Sequence, residues 1–118
     1  SSSDARLKKD VMPLHDGLKK VMGLRPVTFN WRQSAYPDLN FDDRNHLGFI
    51  AQEVEKIVPQ VVSTAADAMQ TKSIAYSDLV PVLTQAIQEQ QKTIEAQEKT
   101  IEDLAARLGE LEQLVKKP

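Results

Sequence analysis

No cysteine occurs in the 118 residues, which excludes disulfide staples and thiolate chemistry. Histidine is almost as scarce: His15 and His46 stand 31 positions apart, which argues against a metal site, and each reads as a surface or loop residue. Aromatic residues make up only 5% of the chain. No run of about 18 apolar residues is present, so no membrane span is expected. No signal peptide is visible either, as a domain cut from a longer chain would lack one. Charge of a single sign is missing as well. Fifteen Lys and Arg face 17 Asp and Glu, a net charge of -2. The two signs are interspersed, which argues against nucleic-acid binding driven by counterion release.

The hydrophobic share is 41%, and its distribution is uneven. The last 40 or so residues hold regularly spaced aliphatics and little else that is apolar. About 75 residues remain for a globular part, which is marginal for a self-sufficient core. Oligomerisation is a natural way to supply the missing burial.

Residues 4–12 mix charge with Leu7, Val11 and Met12 and read as an extended arm or a short strand. Pro13 can open a helix, since Leu14, Leu18, Val21 and Met22 follow at helical spacing and Gly23 suits its C-terminus. Residues 27–31 alternate and are rich in β-branched and aromatic side chains, predicting a strand with Val27, Phe29 and Trp31 on one face and Trp31 in the core. Residues 33–46 are polar and turn-rich, a long loop for so small a domain. Phe49, Ile50, Val54, Ile57 and Val58 form a helical stripe that ends at Pro59. Short strands follow at 60–64 and 73–76, separated by a second loop.

From Ser77, a suitable N-cap, the chain reads as one helix to its end, and Pro81 is tolerated in the first turn. Val80, Ile87, Ile94, Ile101, Leu108 and Val115 recur every seven residues, the a positions of a heptad. Leu83, Gln90, Gln97, Leu104 and Leu111 take the d positions. This period specifies a coiled coil. A helix of about 40 residues is about 60 Å long, far beyond any core the rest of the chain could build. The two glutamine layers weaken the seam and fix its register. They can be satisfied by hydrogen bonds around a three-fold axis, although Ile at a with Leu at d would favour dimers in a simple parallel coil.

Three motifs carry a resemblance. Ser3-Asp4, Arg6 and Lys8 open the chain. Gly48-Phe49-Ile50-Ala51-Gln52-Glu53-Val54-Glu55 lies in the middle, and Tyr76-Ser77-Asp78-Leu79-Val80-Pro81-Val82-Leu83 leads into the heptads. Together they resemble the C-terminal intramolecular chaperone domain of phage tailspike, endosialidase and tail-fibre proteins, the peptidase S74 family, over nearly the whole chain. The resemblance implies an α+β fold: a small mixed globular part of short strands and helices, followed by a long C-terminal helix in a parallel trimeric coiled coil. It divides the chain into a cleavage-site arm at 1–12, a chaperone core at 13–76 with loops 33–46 and 64–72, and a trimerisation helix at 77–118. By position, those loops correspond to protrusions with which family members enclose the upstream chains.

The resemblance also implies a function. The homotrimer would assist folding of an upstream β-rich fibre or spike segment of the same polypeptide, in the host cytoplasm during virion assembly. It would then release itself by a single-turnover autoproteolysis, with Ser3 as nucleophile, Lys8 as general base and Ser3–Asp4 as the cleavage site. No cofactor, metal, nucleic acid, membrane or small-molecule substrate is implied. A non-cleaving, permanent trimerisation foot of a fibre is the alternative.

Chemically, a serine needs a base for its proton, and a lysine serves when neutral, which desolvation or nearby positive charge favours. Arg6 and Lys9 stand beside Lys8. Fully extended, residues 3 and 8 lie about 17 Å apart, so a direct contact requires the chain to turn or the lysine to come from a neighbouring subunit. A serine attacking its own carbonyl would close a four-membered ring. The carbonyl before it gives an easier five-membered acyl shift, and a neighbouring chain's bond is also open to attack. Glu53 and Glu55 read as the polar face of a helix, and Asp42, Asp43 and Arg44 as a charged loop.

Overall fold

The computed structural model describes residues 2–117; Ser1 of the expected arm and Pro118 of the expected helical segment lie outside it. The α+β reading holds. The chain has four short strands, β1 (Val27–Phe29), β2 (His46–Gly48), β3 (Val62–Thr64) and β4 (Lys72–Ile74). Its helices are α1 (Gly17–Gly23), α2 (Ala51–Glu55) and the 37-residue α3 (Val80–Lys116). The strands form two separate antiparallel hairpins. Val27 pairs with Gly48 and Phe29 with His46 in the first; Val62 pairs with Ile74 and Thr64 with Lys72 in the second.

The core is small and aliphatic. Val54, Val58, Val61, Leu79 and Val82 are buried together, with Phe49, Ile57, Val21, Leu24, Val62 and Ile74 packed around them. Val21 comes from α1, Val54 from α2, Val62 and Ile74 from the β3–β4 hairpin and Val82 from α3, while Phe49 directly follows β2, so the core ties these elements into one unit. The radius of gyration is 23.6 Å, against about 13–14 Å for a compact chain of this length. The long axis reaches 84 Å because α3 runs out past the core.

The first turns of α3 present two faces. Leu79, Val82 and Ala86 are buried against the globular part, while Val80, Leu83 and Ile87 point outward. From Gln90 to Lys117 every residue except the half-buried Gly109 is exposed. The a/d stripe, apolar except at Gln90 and Gln97, is therefore uncovered in the single chain, with Ile87 and Ile101 each 64% exposed.

Four local expectations are corrected. Residues 13–16 are not helical: Asp16 takes a left-handed conformation (φ 60°) and α1 begins at Gly17. Residues 4–12 hold no strand but a 3-10 turn at Ala5–Leu7. Ser77 does not cap the long helix; a 3-10 turn at Tyr76–Leu79 leads into α3, and no side chain caps it. Trp31 is not core. It is 40% exposed and lies flat on Phe41, with centroids 4.2 Å apart and planes at 5°.

Candidate active site

The site is built on the exposed arm that precedes α1. Asp4 is the N-cap of the 3-10 turn: its Oδ1 accepts the backbone N–H of Arg6 at 2.9 Å. The turn closes through Leu7 N–H to Asp4 C=O (3.0 Å) and Lys8 N–H to Ala5 C=O (3.2 Å). Arg6 completes it from outside, donating from Nε to Asp4 Oδ1 at 3.1 Å and from Nη2 to Oδ2 at 2.8 Å. These bonds hold the Asp4 carboxyl below its ordinary range, the Arg6 side chain being the larger cause. The turn folds the extended separation of residues 3 and 8 into contact: Lys8 Nζ donates to Ser3 Oγ at 3.0 Å. Of the two routes open in the sequence, a turn of the chain is enough to bring the two side chains into contact.

Arg6 stands near Lys8 in the sequence, but it brings no uncompensated positive charge to it. Its guanidinium is forked onto Asp4, so its charge is balanced locally. Ser3 and Lys8 are both exposed. A base role needs the polarity of the contact reversed, with a neutral Nζ accepting the hydroxyl proton, and exclusion of water favours that state.

The other candidates serve the fold. Glu53 pairs with Arg25 (2.6 Å) and Glu55 with Lys72 (3.0 Å). Gly48 is tight against Tyr76: an added Cβ would lie 2.7 Å from the phenol oxygen, which accepts the Phe49 N–H at 3.2 Å. Val54 is the most buried side chain of the chain's core. The middle motif and Tyr76 thus interlock, joining the first hairpin to the entrance of α3. Asp42 accepts from the backbone of Arg44 at 3.0 Å and pairs with His46 Nε2 at 2.7 Å. The His46 bond is the main cause that draws the Asp42 carboxyl down to about 2. His46 lies in β2 rather than in a loop, and its link to Asp42 left no signal in the sequence, since an i, i+4 spacing implies contact only on a helix. His15 is exposed, ahead of α1. Among the described residues no group of three or more acidic, histidine or cysteine side chains converges as a metal site would require, and no helix is long and apolar enough to cross a membrane.

Residues 3–63, just over half of the chain, match the family Peptidase S74, described as the chaperone of endosialidase. The match begins at Ser3 and includes Lys8 and the Gly48-to-Glu55 motif. Over 87 residues, 74% of the chain, the sequence is 28% identical to the long tail fiber protein Gp37 of Escherichia phage AR1, and the alignment spans 8% of that protein.

Proposed function

This chain belongs to the peptidase S74 family of endosialidase chaperones, and from that premise we propose that it is an intramolecular chaperone that trimerises, assists folding of an upstream fibre or spike segment and frees itself by Ser3/Lys8 autoproteolysis. The observation that carries the reading is the 3.0 Å contact between Ser3 Oγ and Lys8 Nζ on an arm free of the core. In the reaction Ser3 Oγ adds to a peptide carbonyl. Lys8 Nζ takes the hydroxyl proton and passes it to the departing amine, and water then hydrolyses the ester. The flanking Ser3–Asp4 bond is the cleavage site carried over from the family; a neighbouring chain's serine reaches it without a four-membered ring.

The uncovered a/d stripe supports assembly through α3, from Val80 to Val115. Parallel helices in register tether three upstream chains at high effective concentration and remove much of the entropic barrier to intertwining them. The arm's exposure supports a division of labour in time. Water reaches the dyad in the single chain; folding of the upstream segment around the arm would exclude it and start the reaction. Cleavage then removes the nucleus through which the mature fibre could unfold, so assembly becomes kinetically irreversible. Kinship with a long tail fibre protein supports a fibre as the upstream segment and a virion as its destination.

The test expresses the chain behind its native upstream segment, with Ser3→Ala and Lys8→Ala alongside, and reads denaturing gels and intact mass. The wild type should split near Ser3 and both variants stay whole, the fragment masses naming the bond. An intact wild type that is trimeric and folded would leave the permanent trimerisation foot as the function.

A further inference from the structure

We propose that Asp4 and Arg6 act as a positioning clamp that holds Ser3 and Lys8 in contact before any partner arrives, a proposal that rests on the reading of that pair as the cleaving dyad. Ser3 and Lys8 flank a 3-10 turn only three residues long, Ala5–Leu7. So short a helix does not persist in water on its own account, because one or two hydrogen bonds do not offset the fixing of its dihedrals. Core packing does not hold it either: every residue from 4 to 16 is exposed, and the hydrogen bonds of residues 3–8 among the described residues all stay within the arm.

What remains is the Asp4 carboxylate. It accepts three bonds at once, one from the Arg6 backbone at 2.9 Å and two from the Arg6 side chain at 3.1 and 2.8 Å. The first caps the turn, and the negative charge suits a helical N-terminus. The other two form a fork onto both carboxylate oxygens, a planar match that guanidinium makes and an ammonium does not. Neither Asp4 nor Arg6 bonds to Ser3 Oγ or Lys8 Nζ; both act through the turn. Their order in the chain, serine, acceptor, spacer, fork, spacer, lysine, is what the clamp needs.

Two measurements test it. In the intact chain behind its upstream segment, Arg6→Ala should slow cleavage about tenfold to a hundredfold, the scale of a misplaced reacting group. Arg6→Lys should fail to rescue it. Asp4→Asn, which keeps the capping oxygen, should cleave faster than Asp4→Ala. The Arg6 variants decide, since they leave the residues beside the serine unchanged. Raising the salt from about 0.01 M to about 1 M should slow the wild type, because an exposed ion pair is screened, and leave Arg6→Ala unmoved. Cleavage at the wild-type rate in Arg6→Ala, or full activity in Arg6→Lys, overturns the clamp while leaving the dyad intact. The second measurement does not depend on cleavage: a nuclear Overhauser contact between the Ser3 and Lys8 side chains in the 118-residue chain. It should be present in the wild type and lost in Asp4→Ala and Arg6→Ala. Its persistence in both variants overturns the clamp even if the wild type never cleaves.

Discussion

Gly17 is where single atoms decide the fold of the globular part. Its N–H donates to Gln85 Oε1, and a Cβ there would lie 2.8 Å from Val82 C=O and 2.9 Å from Ala86 N. Helix α1 can therefore approach α3 backbone to backbone, which seats Val21 and Leu24 beside the core. Gly17→Ala should cost about 1–3 kcal/mol by overpacking, seen as a lower denaturant midpoint with an unchanged slope; an unchanged midpoint would mean that α1 slides without penalty. Asp42 is decisive in another currency, pH. Its folded carboxyl titrates near about 2 rather than at its ordinary 3.8, chiefly through His46. A depressed carboxylate gives its full contribution above about pH 4 and loses it as pH falls through about 2. Trp31, the single tryptophan, stacks on neighbouring Phe41 and reports the change. Its fluorescence should shift between pH 4 and 2 in the wild type, and Asp42→Asn should abolish that step. A flat wild-type titration, or the same step in Asp42→Asn, would sever Asp42 from the loop's order.

The elements differ in how plainly they are written in the sequence. Helix α3 was legible because its period repeats over five heptads and no short-range feature competes with it. The β3–β4 pair was legible to within two residues, since Val61, Val62 and Ile74 are apolar and a turn-rich loop lies between. Strand β2 was not, because His46, Leu47 and Gly48 present one polar ring, one exposed leucine and no side chain; its strand character comes from pairing with β1. The start of α1 was misplaced for a tertiary reason, the docking of Gly17 on α3. Trp31 left the core because the core is filled by valines and the loop from 33 to 46 folds back onto the indole, Gln33 Nε2 bonding to Phe41 C=O at 3.0 Å. At the site, Ser3, Asp4, Arg6 and Lys8 were legible as one motif, but the fork of Arg6 onto Asp4 was not, since it exists only in the folded arm. The heptad element also carries its own prediction. Replacing Gln90 and Gln97 by Leu should raise thermal stability, each buried side chain contributing about 1.5–3 kcal/mol, while admitting other oligomer states in sedimentation. Retention of a single species would mean that the glutamines do not set the register.

At the scale of the whole molecule, the start of the long helix presents two faces, one buried and one exposed. Leu79, Val82 and Ala86 hold the globular part, and Val80, Leu83 and Ile87 begin the stripe that runs on past it. The first face is satisfied within one chain, so on the proposed function the globular part folds before assembly, and the second face would then bring together chains in which Ser3 and Lys8 already touch. Loss of assembly should thus leave the fold intact and stop the reaction, if exclusion of water from the arm is what activates Lys8. Ile94→Asp with Ile101→Asp places charges in the seam, far from the core and at the opposite end of the chain from Ser3. The double variant should remain folded by circular dichroism in its globular part, sediment as a monomer, and release no fragment when expressed behind its upstream segment. The wild type should release fragment with a half-time that does not change on dilution once trimers have formed, because the slow step then lies within the assembly. A monomeric double variant that still cleaves at the wild-type rate would show that the single arm is a complete protease, and that coupling of release to assembly has to be sought elsewhere in the chain.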